Sequence, residues 1–295
     1  MIYMSKKQDN YNNLNIEGTD KVFKDCLERF NVVYGNINLN RKELLNAISK
    51  ILLDYMIEND SLKLTDKQIQ LLKKQLFELV EGFSSSEYEE QEKAVKENLE
   101  TTIIEQHNLK YYILSIGIKN VKPKKLKKEK INKIINEKFE DKNWKQRLKS
   151  NISDIEIQLK KDIKEFLVGN ISVNDIKKKI NNRYSMKANQ LDKLVQTEIA
   201  RVQTRANEEF FKEQGIEQLL YLATLDSKTC RHCQKYDGKK FDINDPNRPE
   251  LPLHPYCRCC YTEIINNWQP IKRRDNEIVD EHINFTDYEH WKESK

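Results

Sequence analysis

The stretch from Leu222 to Glu263, LATLDSKTCRHCQKYDGKKFDINDPNRPELPLHPYCRCCYTE, decides how the chain is read. It holds five of the six cysteines, as Cys230, Cys233, Cys257, Cys259 and Cys260. Cys230-x-x-Cys233 followed by His254-x-x-Cys257 is the spacing of two ligand pairs for a tetrahedral metal. Two residues between Cys230 and Cys233 let both sulfurs turn inward from one tight turn, and Pro255 stiffens the matching turn at His254 and Cys257. The twenty residues between Cys233 and His254 are enough for a hairpin and loop to bring the pairs together. Thiolate and imidazole donors in a closed tetrahedron suit zinc, and four protein ligands leave no open position, so the expected ion is structural. Cys259 competes for the site. If residues 257–265 form a strand, Cys259 lies on the same side as Cys257 and replaces His254 or Cys257, while Cys260 points the other way. His232 is expected to face solvent. The rival readings are a thiol-lined core with His254 bonded to backbone, and redox work by Cys-x-x-Cys, which here lacks a thioredoxin-like context.

Outward from this stretch, the N-terminal side reads as helix. Hydrophobic residues are 38% and charged residues 34%, with seven glycines, a balance that favours long solvated helices over one thick core. Met1 to about Gly35 is weakly patterned, with a short amphipathic helix through Val22, Phe23, Leu27 and Phe30. Asn40 with Glu43 predicts a capped helix running to about Glu58. Thr65 with Gln68 predicts a second, stopped by Gly82, and Ser84 to Ser86 start a third that ends before Gly117. His107 stands alone on it. Beyond Pro123, a short helix carries Ile131, Ile134, Ile135 and Phe139, a longer one runs from Asn143 to Gly169, and Ser172 with Asp175 caps the next. The last helix is expected from Ser185 to Glu213, closed by Gly215. On it Thr197, Glu198, Arg201 and Arg205 share a face, which reads as half-exposed and salt-bridged. Residues 218–225 and 239–243 are strand-like, joined through an Asp237-Gly238 turn, and 257–265 make a third strand. After Trp268 a charged tail with Phe285, Tyr288 and Trp291 is expected to order on a partner.

The formal charge of +5 is modest, but its distribution is uneven. Between Lys119 and Lys133 eight lysines face one acid, Glu129. Such a run reads as a solvated linker, or else as a patch touching the phosphates of double-stranded DNA through Lys124, Lys125, Lys127 and Lys128. Met1 to Asn10 has no apolar core of a secretion signal, and no run reaches the length of a membrane span, so no membrane partner is expected. Clustered cysteines without a signal point to a reducing compartment and metal-bound or structural thiols. A catalytic metal site would need an open coordination position and a histidine base, and no histidine pair precedes the hairpin; no enzymatic activity is expected.

The helix LVQTEIARVQTRANEEFFKEQGIE, the strand LATLDSKTC, the knuckle CRHC, the turn YDGKKF and the close LPLHPYCRC, in this order, resemble the Mu F-like minor capsid proteins, a phage head morphogenesis family of tailed phages and prophages. The resemblance runs from about Ile131 to Thr262 and is densest from Thr197 to Cys259. It matches Thr197, Glu198 and Arg201 to the family's helix motif, Asp226 to its strand end, Gly238 to its turn, and Cys233, His254, Cys257 and Arg258 to its closing motif. It implies a minor head component at the portal vertex, acting in procapsid assembly, DNA packaging or DNA delivery. The implied partners are the portal protein and the scaffold or major capsid protein, and the implied location is the virion, with the host cytoplasm during assembly. It also makes Asp226 a candidate partner for Arg201. The rival function is a zinc-dependent nucleic-acid-binding protein or nuclease. The expected fold is mainly α-helical with a small C-terminal zinc-stabilised β-hairpin module, an α+β arrangement. Its expected parts are a variable helical region 1–118, a basic linker 119–130, a head-morphogenesis domain 131–265 and a polar tail 266–295.

Overall fold

The computed structural model describes residues 2–117, 123–265, 270–278 and 281–295. Lys119, Lys122 and Trp268 lie outside the described residues. The chain forms α1 (Ile2–Glu28), α2 (Asn31–Asp54), β1 (Ile57–Glu58), β2 (Ser61–Leu62), α3 (Asp66–Gly117), α4 (Lys128–Asn136), α5 (Trp144–Leu167) and α6 (Val173–Gln214). There follow β3 (Gln218–Leu222), α7 (Arg231–Gln234), β4 (Lys240–Asp242), β5 (Cys260–Ile264), β6 (Lys272–Asp275), β7 (Glu281–Asn284) and α8 (Tyr288–Glu293). The fold is mainly helical with small sheets. These elements form two compact units, and neither is continuous in sequence.

One unit comprises Arg29–Glu97 and Glu137–Val195. It is helical, with a core of Leu44, Ile48, Leu76, Val80, Trp144, Ile155, Leu159, Ile163, Phe166, Ile176 and Ile180. Its caps were legible. Thr65 and Gln68 bond reciprocally ahead of α3, Asn143 and Gln146 do so at α5, and Ser172 accepts from the Asp175 N–H at α6. Gly169 adopts a positive φ of 81° just past α5. The internal stops were not real. Asn40 lies inside α2 and donates to Glu87 at 2.7 Å rather than capping. Gly82 and Ser84 to Ser86 lie inside α3, and Ser185 lies inside α6. The reason is that a helix-interior Gly costs only about 1 kcal/mol, whereas burial of flanking residues such as Leu76, Val80 and Val95 is worth more. An unexpected hairpin joins β1 to β2 through Asn59 and Asp60, both at positive φ, as a two-residue turn demands.

The other unit comprises Met1–Glu28, Asn98–Asn136 and Gln196–Lys295. The weak pattern of the first 28 residues belongs to one long helix, α1, rather than a short one. A three-stranded antiparallel sheet in the order β4-β3-β5 packs on Tyr111, Leu114, Phe210 and Phe211. His107 is not alone, since its Nε2 lies 3.2 Å from Glu213, which also accepts from Tyr111 at 2.6 Å. The residues expected as a loose tail are folded here. β6 pairs with β7, and Tyr288 and Trp291 of α8 are buried against Leu225. The sequence pattern hid this because the segment is anchored by buried polar groups: Arg273 pairs with Asp237 at 2.7 Å, and the Trp291 indole donates to Asp275 at 2.9 Å.

Candidate metal centre

β3 delivers the chain to Asp226, whose carboxylate accepts from the Lys228 N–H and the Thr229 hydroxyl. That local turn sets up Cys230 at the start of α7, one short turn that brings Cys233 back under it. On the other arm, the Cys257 N–H donates to the His254 carbonyl at 3.1 Å and Tyr256 takes a positive φ of 61°. The two turns place Cys230 Sγ and Cys233 Sγ 3.3 and 3.2 Å from His254 Nε2, with Cys233 Sγ 3.9 Å from Cys257 Sγ. A tetrahedral zinc with Zn–S of about 2.3 Å and Zn–N of about 2.05 Å has edges of about 3.8 Å between sulfurs and about 3.6 Å between sulfur and nitrogen. Those three spacings lie within a few tenths of an ångström of such edges, but the donors gather as two overlapping groups of three, Cys230, Cys233 and His254, and Cys233, Cys257 and Cys259, and not as one set of four.

The tautomer of His254 follows from its second contact. Nδ1 sits 2.8 Å from the Pro255 carbonyl, which can only accept, so Nδ1 carries the proton and Nε2 offers its lone pair to the sulfurs. Cys233 and Cys257 are buried. Burial opposes ionisation of Cys230, but the Cys233 N–H and thiol and the nearby His254 outweigh it and lower the Cys230 pKa. Hydrogen bonds from the Cys233 and Cys259 thiols push the Cys257 pKa down against the effect of burial.

Cys259 is within reach as well. The sulfurs of Cys233, Cys257 and Cys259 form a second group of possible ligands that shares Cys233 with the first group, Cys230, Cys233 and His254. The expected reason was wrong, however. The strand begins at Cys260, so Cys257 and Cys259 meet through the turn that precedes it and not through alternation along a pleat. Cys260 belongs to neither group and instead lines a cavity of 310 Å³ with Lys110, Asn207 and Arg274. His232 is exposed, as expected.

The residues of the α6 motif support this centre from behind. Thr197 is buried and its hydroxyl accepts from the Tyr256 N–H at 3.1 Å, holding the strained turn between His254 and Cys257. Glu198 and Arg201 are 0% and 1% exposed, so the half-exposed salt-bridged face expected there is a buried one. Arg201 does not pair with Asp226. Its Nε donates to Glu198 at 2.8 Å, and its two terminal nitrogens donate to the carbonyls of Ile134 and Ile135 at 2.7 and 3.1 Å. Those carbonyls end α4 and have no intrahelical partner, so Arg201 caps that helix from its flank. Nothing in the spacing of α6 announced α4 as its target. Asp226 pairs with Arg258, both of whose terminal nitrogens reach its carboxylate. Burial alone would raise the Asp226 pKa, but the guanidinium overcomes it and holds the carboxyl below its ordinary value. Gly238 takes a positive φ of 72° in the turn after Asp237. The buried carboxylate of Asp237 accepts from the Ala223 and Tyr288 N–H groups, both at 2.7 Å. Lys124, Lys125, Lys127 and Lys128 are exposed ahead of or at the start of α4.

This arrangement is a cysteine-rich knuckle docked on a long helix, and its cluster of sulfurs and imidazole could hold a metal ion. Residues 157–262 match the family described as Phage Mu protein F like protein. The match ends where the resemblance was expected to end and starts later, within α5. It suggests a role in phage head morphogenesis. No curated protein and no solved structure matches the chain. Among the described residues no helix is long and apolar enough to cross a membrane.

Proposed function

We propose that this protein is a structural, non-enzymatic minor component of a tailed-phage head. It acts at the portal vertex in procapsid assembly, DNA packaging or DNA delivery, touching the portal protein and the scaffold or major capsid protein. It resides in the virion and, during assembly, in the host cytoplasm. A structural Zn²⁺ held by Cys230, Cys233, His254 and Cys257, with Cys259 as alternate ligand, would cross-link the two turns of the knuckle. The observations that support this reading are the family match over residues 157–262 and two overlapping donor groups that share Cys233 and together could supply four protein ligands to a structural ion.

The test is co-expression with a portal protein of the same phage or prophage. The chain is expected to co-purify with portal rings and to carry about one zinc per chain. A chain that stays apart from portal and from heads, or that folds fully without metal, would end this reading. Cleavage of a plasmid in Mg²⁺ or Zn²⁺ that disappears with His254→Ala would replace it with a nuclease.

A further inference from the structure

The knuckle carries a second feature on its outer side. In the sequence, two acids, Asp226 and Asp237, are interspersed with five bases from Lys228 to Lys240. The fold sorts them. Asp226 turns inward to Arg258, and Asp237 turns inward to Arg273, where its side chain is 1% exposed. The bases stay outside: Lys228, Arg231, Lys235, Lys239 and Lys240 are all at the surface. Asp287, which also comes close to Gly238, lies 2.7 Å from the His290 ring.

Two of these bases and a histidine converge on one ring. The ammonium of Lys235 lies 5.0 Å and that of Lys239 5.7 Å from the centroid of Tyr236, and the His232 ring packs against the same tyrosine at 5.7 Å. Arg231 stands four residues before Lys235 at the ends of α7, so the two share a side of that turn. Like charges held this close repel one another, and a fold that buries the intervening acids while keeping the bases together maintains a positive face at a cost.

We infer that Lys235 and Lys239, gathered around Tyr236, form with Arg231 on the same short turn a docking face for the phosphate backbone of duplex DNA. Charge complementarity sets the polyanion. The duplex is favoured over single strands because the Tyr236 ring is already covered by Lys235, Lys239, His232 and, at 5.7 Å, Tyr221, which leaves no face for a base to stack on. The face offers cations and no element to enter a groove, so binding is independent of sequence. This site is separate from the lysines before α4, and it does not depend on the assignment to a phage head.

The test uses the full zinc-loaded chain and a fluorescent duplex of mixed sequence, with anisotropy read across a salt series. The wild type is expected to bind at about 50 mM salt and to weaken steeply towards about 200 mM. Arg231→Gln/Lys235→Gln/Lys239→Gln is expected to bind at least about 10-fold more weakly, with a salt slope shallower by about 2 to 3, near 0.9 for each phosphate no longer neutralised. Zinc content, measured on the same samples, separates loss of the face from loss of the fold. If the triple variant loses zinc, Lys235→Gln/Lys239→Gln leaves Arg231 between the first two cysteines untouched and must show a slope shallower by about 2. Unchanged affinity and slope in a zinc-replete variant would overturn the inference. So would binding lost only on replacing Lys124, Lys125, Lys127 and Lys128, or tighter binding of a single strand that Tyr236→Ala abolishes.

Discussion

The helical unit of Arg29–Glu97 and Glu137–Val195 and the knuckle of the other unit are stable for different reasons. The first buries aliphatic and aromatic side chains around Trp144, Ile155 and Phe166 at helical spacing. Each buried side chain there contributes a few kcal/mol, and no single one is indispensable. The knuckle has short strands, a four-residue helix and proline-rich loop. It relies on a few strong polar centres: the sulfur and imidazole cluster, the Glu198–Arg201 pair and the Asp237–Arg273 pair. A region built on area loses stability gradually, whereas one built on a few centres fails when one of them is removed.

The most damaging test of this contrast is Cys233→Ser, which removes the sulfur common to both possible ligand groups. A structural zinc contributes on the order of 10 kcal/mol of apparent folding energy. The variant, or the wild type in chelator, is therefore expected to lose protection of the β3, β4 and β5 amides in hydrogen exchange while those of α5 stay protected. Equal loss in both regions would mean that the two do not differ as argued. Cys260→Ser, outside both groups, is expected to leave zinc content unchanged. Next comes Arg201→Ala, which strands Glu198 in a buried site and uncaps α4; a loss of about 3–5 kcal/mol in denaturant unfolding is expected. Glu198→Gln/Arg201→Met should recover part of it, and no recovery would argue that packing, not charge, dominates there. In the helical unit Trp144→Ala is expected to cost about 3–5 kcal/mol with zinc content unchanged. Thr197→Val removes one hydrogen bond to the turn at Tyr256 and is expected to cost about 1–2 kcal/mol and to speed zinc loss to a chelator.

The smallest effect concerns pH. The folded pKa of Asp226 lies below its unfolded value, so the stability from its pair with Arg258 is complete above about pH 4 and is lost as pH falls through the lowered folded value. Asp226→Asn should flatten that acid limb in thermal melts without altering stability's pH dependence above it. A limb identical to that of the wild type would show that other carboxylates set it.

Much of this was readable from residues alone, and the misses have a common cause. Thr65 with Gln68, Asn143, Ser172 and the positive-φ glycines at 169, 215 and 238 act through bonds and backbone angles only a few residues away. The pairing of Cys230-x-x-Cys233 with His254-x-x-Cys257 was legible because ligand spacing is local on each arm. Gly82, Asn40 and Ser185 misled because they resemble helix ends and are overruled by packing from distant segments. The tail from Lys272 to Glu293 looked unstructured because its anchors, Arg273 and Trp291, are satisfied by Asp237 and Asp275 rather than by an apolar stripe.

The sequence by itself determined the helical character, the two cysteine-bearing turns and the likeness of residues 157–262 to the Phage Mu protein F like family. Those depend on periodicity, on short spacings and on the order of motifs along the chain. Tertiary structure alone decided that Arg201 caps α4 instead of pairing with Asp226, that Cys259 joins the thiol cluster from a turn, and that Asp226 and Asp237 face inward while the neighbouring lysines face water. Each of these depends on which partner is close in space across tens of residues. A buried charge must find such a partner or remain unpaired, and spacing along the chain does not specify which one it finds.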